Sequence, residues 1–308
     1  RFVPAMAGAH TAIFMARLAR EGGGWKLTTI GDMDHTARDW GSVVPELRAY
    51  MGDLIPGIKV DPLERVAIMR KGGSIRLSDY CNSPQLPQTI VLGLHWDVTN
   101  GVNIDLDASV IMLDANLQQL DIVFYGKLAS SDGAVRHGGD EREGDEKGDD
   151  EKIFLQLGSV HPSVRYIGFV INSYSGEELD DVKDAGVHLF DGSSMRDIFR
   201  YHMTNTKELD KHTALVVGML FQEGGAWCAR IISEAAQGRT ANENVDELQA
   251  YIRRNPILPL PPPRQPDPPG AGAAMVAKLT ATMQQAHAVA MPVATAMPVA
   301  VPVGAPVI

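Results

Sequence analysis

The feature that most constrains this fold is a repeat within the chain. His10-Thr11-Ala12-Ile13 and Glu21-Gly22-Gly23-Gly24-Trp25 recur as His212-Thr213-Ala214-Leu215 and Glu223-Gly224-Gly225-Ala226-Trp227 at one constant offset. One gap later, Glu46-Leu47-Arg48-Ala49-Tyr50-Met51 recurs as Glu247-Leu248-Gln249-Ala250-Tyr251-Ile252. A period of roughly 200 residues is that of a domain and not of a solenoid, so it points to tandem domains. Residues 1–51 read as the last two strands and closing helix of a first domain that begins outside the chain. The alternative is a half-copy natural to this chain. Residues 52–69, with Pro56, Gly57 and Pro62, read as a linker, and residues 70–252 as a complete domain. Residues 253–308 read as a Pro-, Ala- and Val-rich tail, extended or disordered.

Within 70–252, short apolar runs are bounded by Gly, Asp, Asn and Pro. That punctuation predicts strands over 89–95, 104–113, 121–125, 152–157, 164–172, 185–190, 197–203, 213–222 and 226–232. The Glu223-Gly224-Gly225 turn predicts a hairpin. Val245, Leu248 and Ile252 share one side of a short helix at 243–252. Many strands and one closing helix make the fold class all-β dominated, a β-sandwich.

The chemistry concentrates in carboxylates. Residues 137–151 alternate Asp and Glu with Gly, and carboxylate oxygens are the ligands calcium takes in a flexible shell of six to eight. Asp140 to Glu151 has the length of an EF-hand loop. Arg142 and Gly144 stand where side-chain ligands belong, however, and Asp145 stands where the sharp turn needs Gly, so that reading fails. In Ile104-Asp105-Leu106-Asp107-Ala108-Ser109-Val110 the polar positions alternate, which puts Asp105 and Asp107 on one strand face. Asp97 ends the preceding strand and Asp132 sits in a turn before the acidic loop. Loops gathered at one end of a sandwich would make a carboxylate cup that is costly without a cation. A solvated charge run, balanced by Arg136, Arg142, Lys147 and Lys152, is the plain alternative.

The net charge of −10 argues against nucleic acid as a partner and suits a cation. The two cysteines, Cys81 and Cys228, fit a reducing, cytoplasmic setting. Prolines interrupt the apolar tail too often for a membrane-spanning helix. His95, His137 and His212 lack a paired nucleophile and read as structural. Asn172 to Asp184 reads as a solvated polar loop.

The order of motifs resembles the TerD family of tellurium-resistance and stress proteins. It is carried by Gly93-Leu94-His95-Trp96-Asp97, Ile104-Asp105-Leu106-Asp107-Ala108-Ser109, Asp121-Ile122-Val123-Phe124-Tyr125 and Ser131-Asp132-Gly133-Ala134-Val135-Arg136-His137, followed by the acidic loop. Lys71-Gly72-Gly73-Ser74-Ile75-Arg76-Leu77 is similar to the family's first strand. The resemblance implies a sandwich similar to synaptotagmin-type calcium modules. It implies calcium ligands among Asp97, Asp105, Asp107, Asp132, Asp140, Asp149, Asp150 and Glu151, a stress or tellurium-resistance role, and no catalysis. Glu141, Glu143 and Glu146 depart from the Asn, Thr and Gly usual in the family loop. Protein partners, or a membrane surface met through the calcium loops, are further expectations. The competing readings are a calcium-independent scaffold, a metal-dependent hydrolase, and a member like the family's cAMP-binding branch.

Overall fold

Alternation of apolar and polar residues, broken every few positions by turn formers, dictates short strands. The computed structural model describes residues 12–34, 39–55, 57–61, 64–81, 85–97, 105–139, 148–203, 209–260, 277 and 281. Among these, the strands are β1 (Ala12–Glu21), β2 (Gly24–Asp34), β3 (Ala67–Ile68), β4 (Ser74–Arg76), β5 (Ile90–Asp97), β6 (Leu106–Leu113), β7 (Gln119–Val123) and β8 (Val135–His137). They continue with β9 (Glu151–Leu155), β10 (Tyr166–Ser173), β11 (Lys183–Asp191), β12 (Asp197–His202), β13 (Ala214–Glu223) and β14 (Ala226–Ala236). Helix α1 spans Val44–Ala49 and α2 spans Val245–Arg254.

One six-stranded sheet has the order β4-β14-β13-β10-β6-β7 and the other β3-β12-β11-β5-β9-β8. Their facing sides share one apolar core, with Leu92, Leu94, Ile153 and Val187 from one sheet and Leu106, Val110, Phe169 and Leu215 from the other. This is the expected sandwich. Helix α2 lays Leu248, Tyr251 and Ile252 on the outer side of the first sheet, against Ile111, Val216, Phe221 and Ile232. Gly168 on β10 makes that approach possible, since a Cβ there would stand 2.3 Å from Leu248 Cδ2. Covered on both sides, β6 is buried along its whole length. The one-sided face expected for Asp105 and Asp107 is therefore absent at Asp107, which is buried opposite Asn172.

One feature differs from the expected boundaries. Ala67 and Ile68, read as linker, form β3 and run parallel to Phe199 and Arg200 of β12. A two-residue strand carries no periodicity to read. Arg65 beside it is buried and pairs with Glu46 at 2.8 Å, tying α1 to the sandwich edge. Residues 1–11 and nearly all of the tail after 260 lie outside the described residues, so the expectation for the tail lies there too.

The remaining sheet is the hairpin β1-β2. Its register is that of β13-β14. Glu21↔Gly24, Ala16↔Thr29 and Phe14↔Asp32 answer Glu223↔Ala226, Gly218↔Ile231 and Val216↔Glu234. The register slips between Phe14 and Ala16 in one hairpin and between Val216 and Gly218 in the other. Opposite each slip stands a residue of positive φ, Gly31 at 74° and Ser233 at 51°.

Candidate metal centre

Antiparallel pairing decides which carboxylates meet. β5 ends where β9 begins, with Leu94 opposite Glu151, and β6 begins at that same end of the facing sheet. The Asp150 amide donates to the Leu94 carbonyl at 2.8 Å, and the Trp96 amide donates to Asp150 Oδ2 at 2.9 Å. Asp97 closes β5 with its backbone opposite Lys183. The Asp105 carbonyl accepts the Tyr174 amide at 3.1 Å, which ties the loop after β10 to the start of β6.

Beneath these groups lies a sealed layer. At Ala108, strand β7 has already ended its pairing with β6. Side chains from the other sheet take the place of a ladder partner. The Ala108 amide donates to Glu151 Oε2, and the Ala108 carbonyl lies 2.9 Å from His137 Nε2. The Gly139 amide donates to His137 Nδ1 at 3.2 Å, so the ring proton sits on Nε2 and is donated to Ala108. Asp107 is 3 % exposed and Glu151 2 %, so both carboxylates are shut away from bulk water. Burial alone would lower the His137 pKa. The hydrogen bond and charge of Glu151 outweigh it and leave the imidazole above its ordinary range, with Asp107 adding to the effect.

Asp105 Oδ1, Asp107 Oδ2, Asp150 Oδ1 and Glu151 Oε1 are enclosed and accept no hydrogen bond, while each of these residues keeps other partners. Enclosed, anionic, all-oxygen acceptors fit a hard cation and do not fit a soft one.

The same end carries a trio, two of whose members lie in the loop Asn172 to Asp184 that was expected to be solvated. Glu178, Asp180 and Asp210 bring ligand oxygens within 4.8 Å of one another. Their loops are laced together by Leu179 N–H to His212 O and Ser173 N–H to Thr213 O, both at 2.8 Å. The acid-rich run from Glu177 to Asp181 was a visible signal. The approach of Asp210 was not.

Two expected ligands stand elsewhere. Asp132 is at the opposite end of the sandwich. After β7 the chain turns at Phe124–Lys127 and runs back beside β8, with the His137 amide on Leu128 O and the Ser130 amide on Val135 O, both at 2.9 Å. Asp132 therefore occupies a hairpin turn far from Glu151. There it accepts Ser130 Oγ–H at 2.6 Å, Ala134 N–H at 3.0 Å and His161 N–H at 2.9 Å. Burial would raise its pKa, and these three bonds lower it overall.

Asp149 turns onto the outer side of the second sheet. Its Oδ1 lies 2.7 Å from His188 Nε2, and His188 Nδ1 lies 2.6 Å from Asp197 Oδ1. Gly93 makes room, since a Cβ there would stand 2.5 Å from the Asp149 carboxylate. Burial opposes protonation of His188, but the two carboxylates prevail and raise its pKa to about 9. Asp140, Glu141, Glu143 and Glu146 lie outside the described residues. His95 packs over Gly186, and His212 Nδ1 lies 2.8 Å from the Asp210 carbonyl. Among the described residues, no helix is long and apolar enough to cross a membrane.

The TerD domain family matches residues 66–242. Tellurium resistance protein TerD from Alcaligenes sp is 32 % identical over 183 residues, 56 % of this chain and 93 % of that protein. Tellurium resistance protein TerZ from Serratia marcescens is 34 % identical over 152 residues, 49 % of this chain and 77 % of that protein. General stress protein 16U from Bacillus subtilis (strain 168) is 30 % identical over 167 residues, 51 % of this chain and 86 % of that protein. A solved structure of a homologue of the telluride resistance protein TerD from Streptomyces coelicolor A3(2) aligns at 20 % identity and a TM-score of 0.42, over 50 % of this chain and 92 % of that chain. With the family matched across both sheets of the sandwich, the chain belongs to the TerD domain family of tellurium-resistance and stress proteins.

Proposed function

We propose that this protein is a non-enzymatic calcium-binding module whose ions sit at the acidic end of the sandwich. Asp105, Asp107, Asp150 and Glu151 would supply oxygens from the strand ends. Glu178, Asp180 and Asp210 would supply them from the neighbouring loops. One observation carries the reading: carboxylates from four separate chain segments gather at one end, two of them almost fully buried. Like charges brought together and desolvated repel, and a divalent cation offsets that cost. Calcium tolerates the irregular geometry that separate loops offer, where magnesium demands a near-ideal octahedron. The role proposed for the bound ion is in a stress or tellurium-resistance process, in keeping with the names of the relatives.

Titration calorimetry and melting with and without chelator test this. A ligand at 100 times its Kd stabilises the folded state by about 2.7 kcal/mol. D105N/D107N is expected to lose most of the calcium-dependent rise in Tm while keeping its circular dichroism. An E178Q/D180N/D210N variant that loses the rise, when D105N/D107N keeps it, would move the ion to the loop trio. No heat and no chelator effect in the parent protein would sink the proposal.

A further inference from the structure

On one side of the sandwich both edge strands stop short. β3 pairs with Phe199 and Arg200 of β12, and β4 pairs with Cys228 to Arg230 of β14. Beyond them, Tyr201 and His202 on β12 stand across from Ser233 on β14, and a cavity of about 240 Å³ opens between the two sheets. The chain passing from β3 to β4 crosses beside it through Met69, Arg70 and Lys71. That crossing is held by Met69 N–H on Arg200 O and Gly72 N–H on Ile231 O, both at 2.8 Å. Met203, Leu209 and Leu215 line the cavity from the shared core, while Arg70, Lys71 and His202 line it from the exposed rim. Among the described residues no carboxylate lines it, in a chain of net charge −10. Ser233 adds a second observation. Its φ is 51°, a left-handed conformation, and its counterpart in the first hairpin is Gly31 at 74°. Glycine adopts that conformation without strain and serine does not. What serine supplies in exchange is a hydroxyl on the cavity wall, which accepts Tyr201 Oη–H at 2.6 Å. The Ser233 hydroxyl hydrogen is then available to a further oxygen. A strained residue that presents a polar group to a cavity is a mark of a ligand site.

We propose that this cavity binds a small carboxylate with an apolar body, of the class of the medium-chain fatty acids. The carboxylate lies toward Arg70 and Lys71 and accepts the Ser233 hydroxyl, and the hydrocarbon rests on Met203, Leu209 and Leu215. Charge-assisted bonds to a carboxylate favour the anion over a neutral analogue. The apolar floor favours an anion with a hydrocarbon body over a bare, strongly hydrated one. The volume is below the roughly 300–1,000 Å³ of pockets that hold drug-sized ligands, which sets the ligand at about ten non-hydrogen atoms. The site shares no residue with the carboxylates proposed for calcium, so it stands or falls apart from metal binding.

Titration calorimetry of the 308-residue chain with calcium chelated tests it. The probe is octanoate, a carboxylate of that size. Octanol keeps the body without the charge, and acetate and inorganic phosphate keep a charge without the body. Octanoate is expected to saturate with a Kd on the order of 1 mM or below, and each of the other three to bind at least about tenfold more weakly. R70Q/K71Q alters two exposed side chains and is expected to keep its circular dichroism while weakening octanoate about tenfold. S233G relieves the positive φ and removes the hydroxyl, and is expected to weaken octanoate about fivefold or more. Four results would overturn the proposal. Absence of saturation by octanoate at about 10 mM would mean that the cavity is not a site for this class. Octanol binding as tightly as octanoate would remove the cations from the site. Phosphate or acetate binding as tightly would reduce it to a plain anion site. Unchanged affinity in both R70Q/K71Q and S233G would place octanoate elsewhere on the protein.

Discussion

His137 Nε2 lies 3.6 Å from Glu151 Oε2, with both side chains fully enclosed, and the two together satisfy the backbone of Ala108. A contact between β8, β9 and the edge of β6 therefore closes the acidic end of the sandwich. The candidate ligands Asp107 and Asp150 stand beside it.

Removing the carboxylate should be costly. E151A leaves the Ala108 amide buried without its acceptor, and an unmade buried bond to a charged group costs about 2–4 kcal/mol. E151Q retains an acceptor oxygen and should cost less than half as much. Urea denaturation of the two variants checks the order, and equal losses would remove Glu151 from this role.

The Asp149–His188–Asp197 bridge gives a pH signature. The raised His188 pKa means that its contribution is complete below the unfolded value of about 6.5 and fades as pH rises through about 9. Asp149 and Asp197 are held below their ordinary values, where burial is outweighed by the His188 bonds. Their contribution is complete above about 4 and is lost as pH falls further. H188Q should thus destabilise by about 2 kcal/mol at pH 6 and by much less at pH 10. Paired thermal melts at the two pH values check this, and a pH-independent loss would refute it.

Asp132 separates turn stability from metal binding. D132A removes three hydrogen bonds from a surface turn and should cost about 1–2 kcal/mol. It should leave the calcium-dependent shift in Tm unchanged, because the turn is at the far end. Loss of the shift in D132A would return Asp132 to the ligand set.

Gly168 tests the seat of α2. G168A forces Leu248 aside and should destabilise by about 1–3 kcal/mol, the usual cost of overpacking. L248A in the same chain should recover part of that loss, so the double variant should fall short of additivity. Additive losses would mean that the helix does not rest on this glycine.

The sequence by itself determined the sandwich, because turn formers and apolar runs are local properties. The nine expected strands all appear as β5 to β7 and β9 to β14, with α2 within two residues of its expected start. Motif order was enough to place the family. Asp105, Asp107, Asp150 and Glu151 were legible as acidic strand-end positions, and the facing of β6 and β9 across the two sheets brings them to one end. Which carboxylates meet was decided by tertiary structure alone. The reversal at Phe124–Lys127 sends Asp132 to the other end, Asp149 turns outward to His188 just before β9, and Asp210 meets Glu178 because β10 and β13 pair although β11 and β12 separate them in the chain. Spacing along a chain records distance in residues, and a turn of a few residues inverts the direction of every strand after it. The repeated hairpin shows the same division: its turn and register follow from sequence, while burial of the inner side of β13-β14 depends on the sheet that packs there.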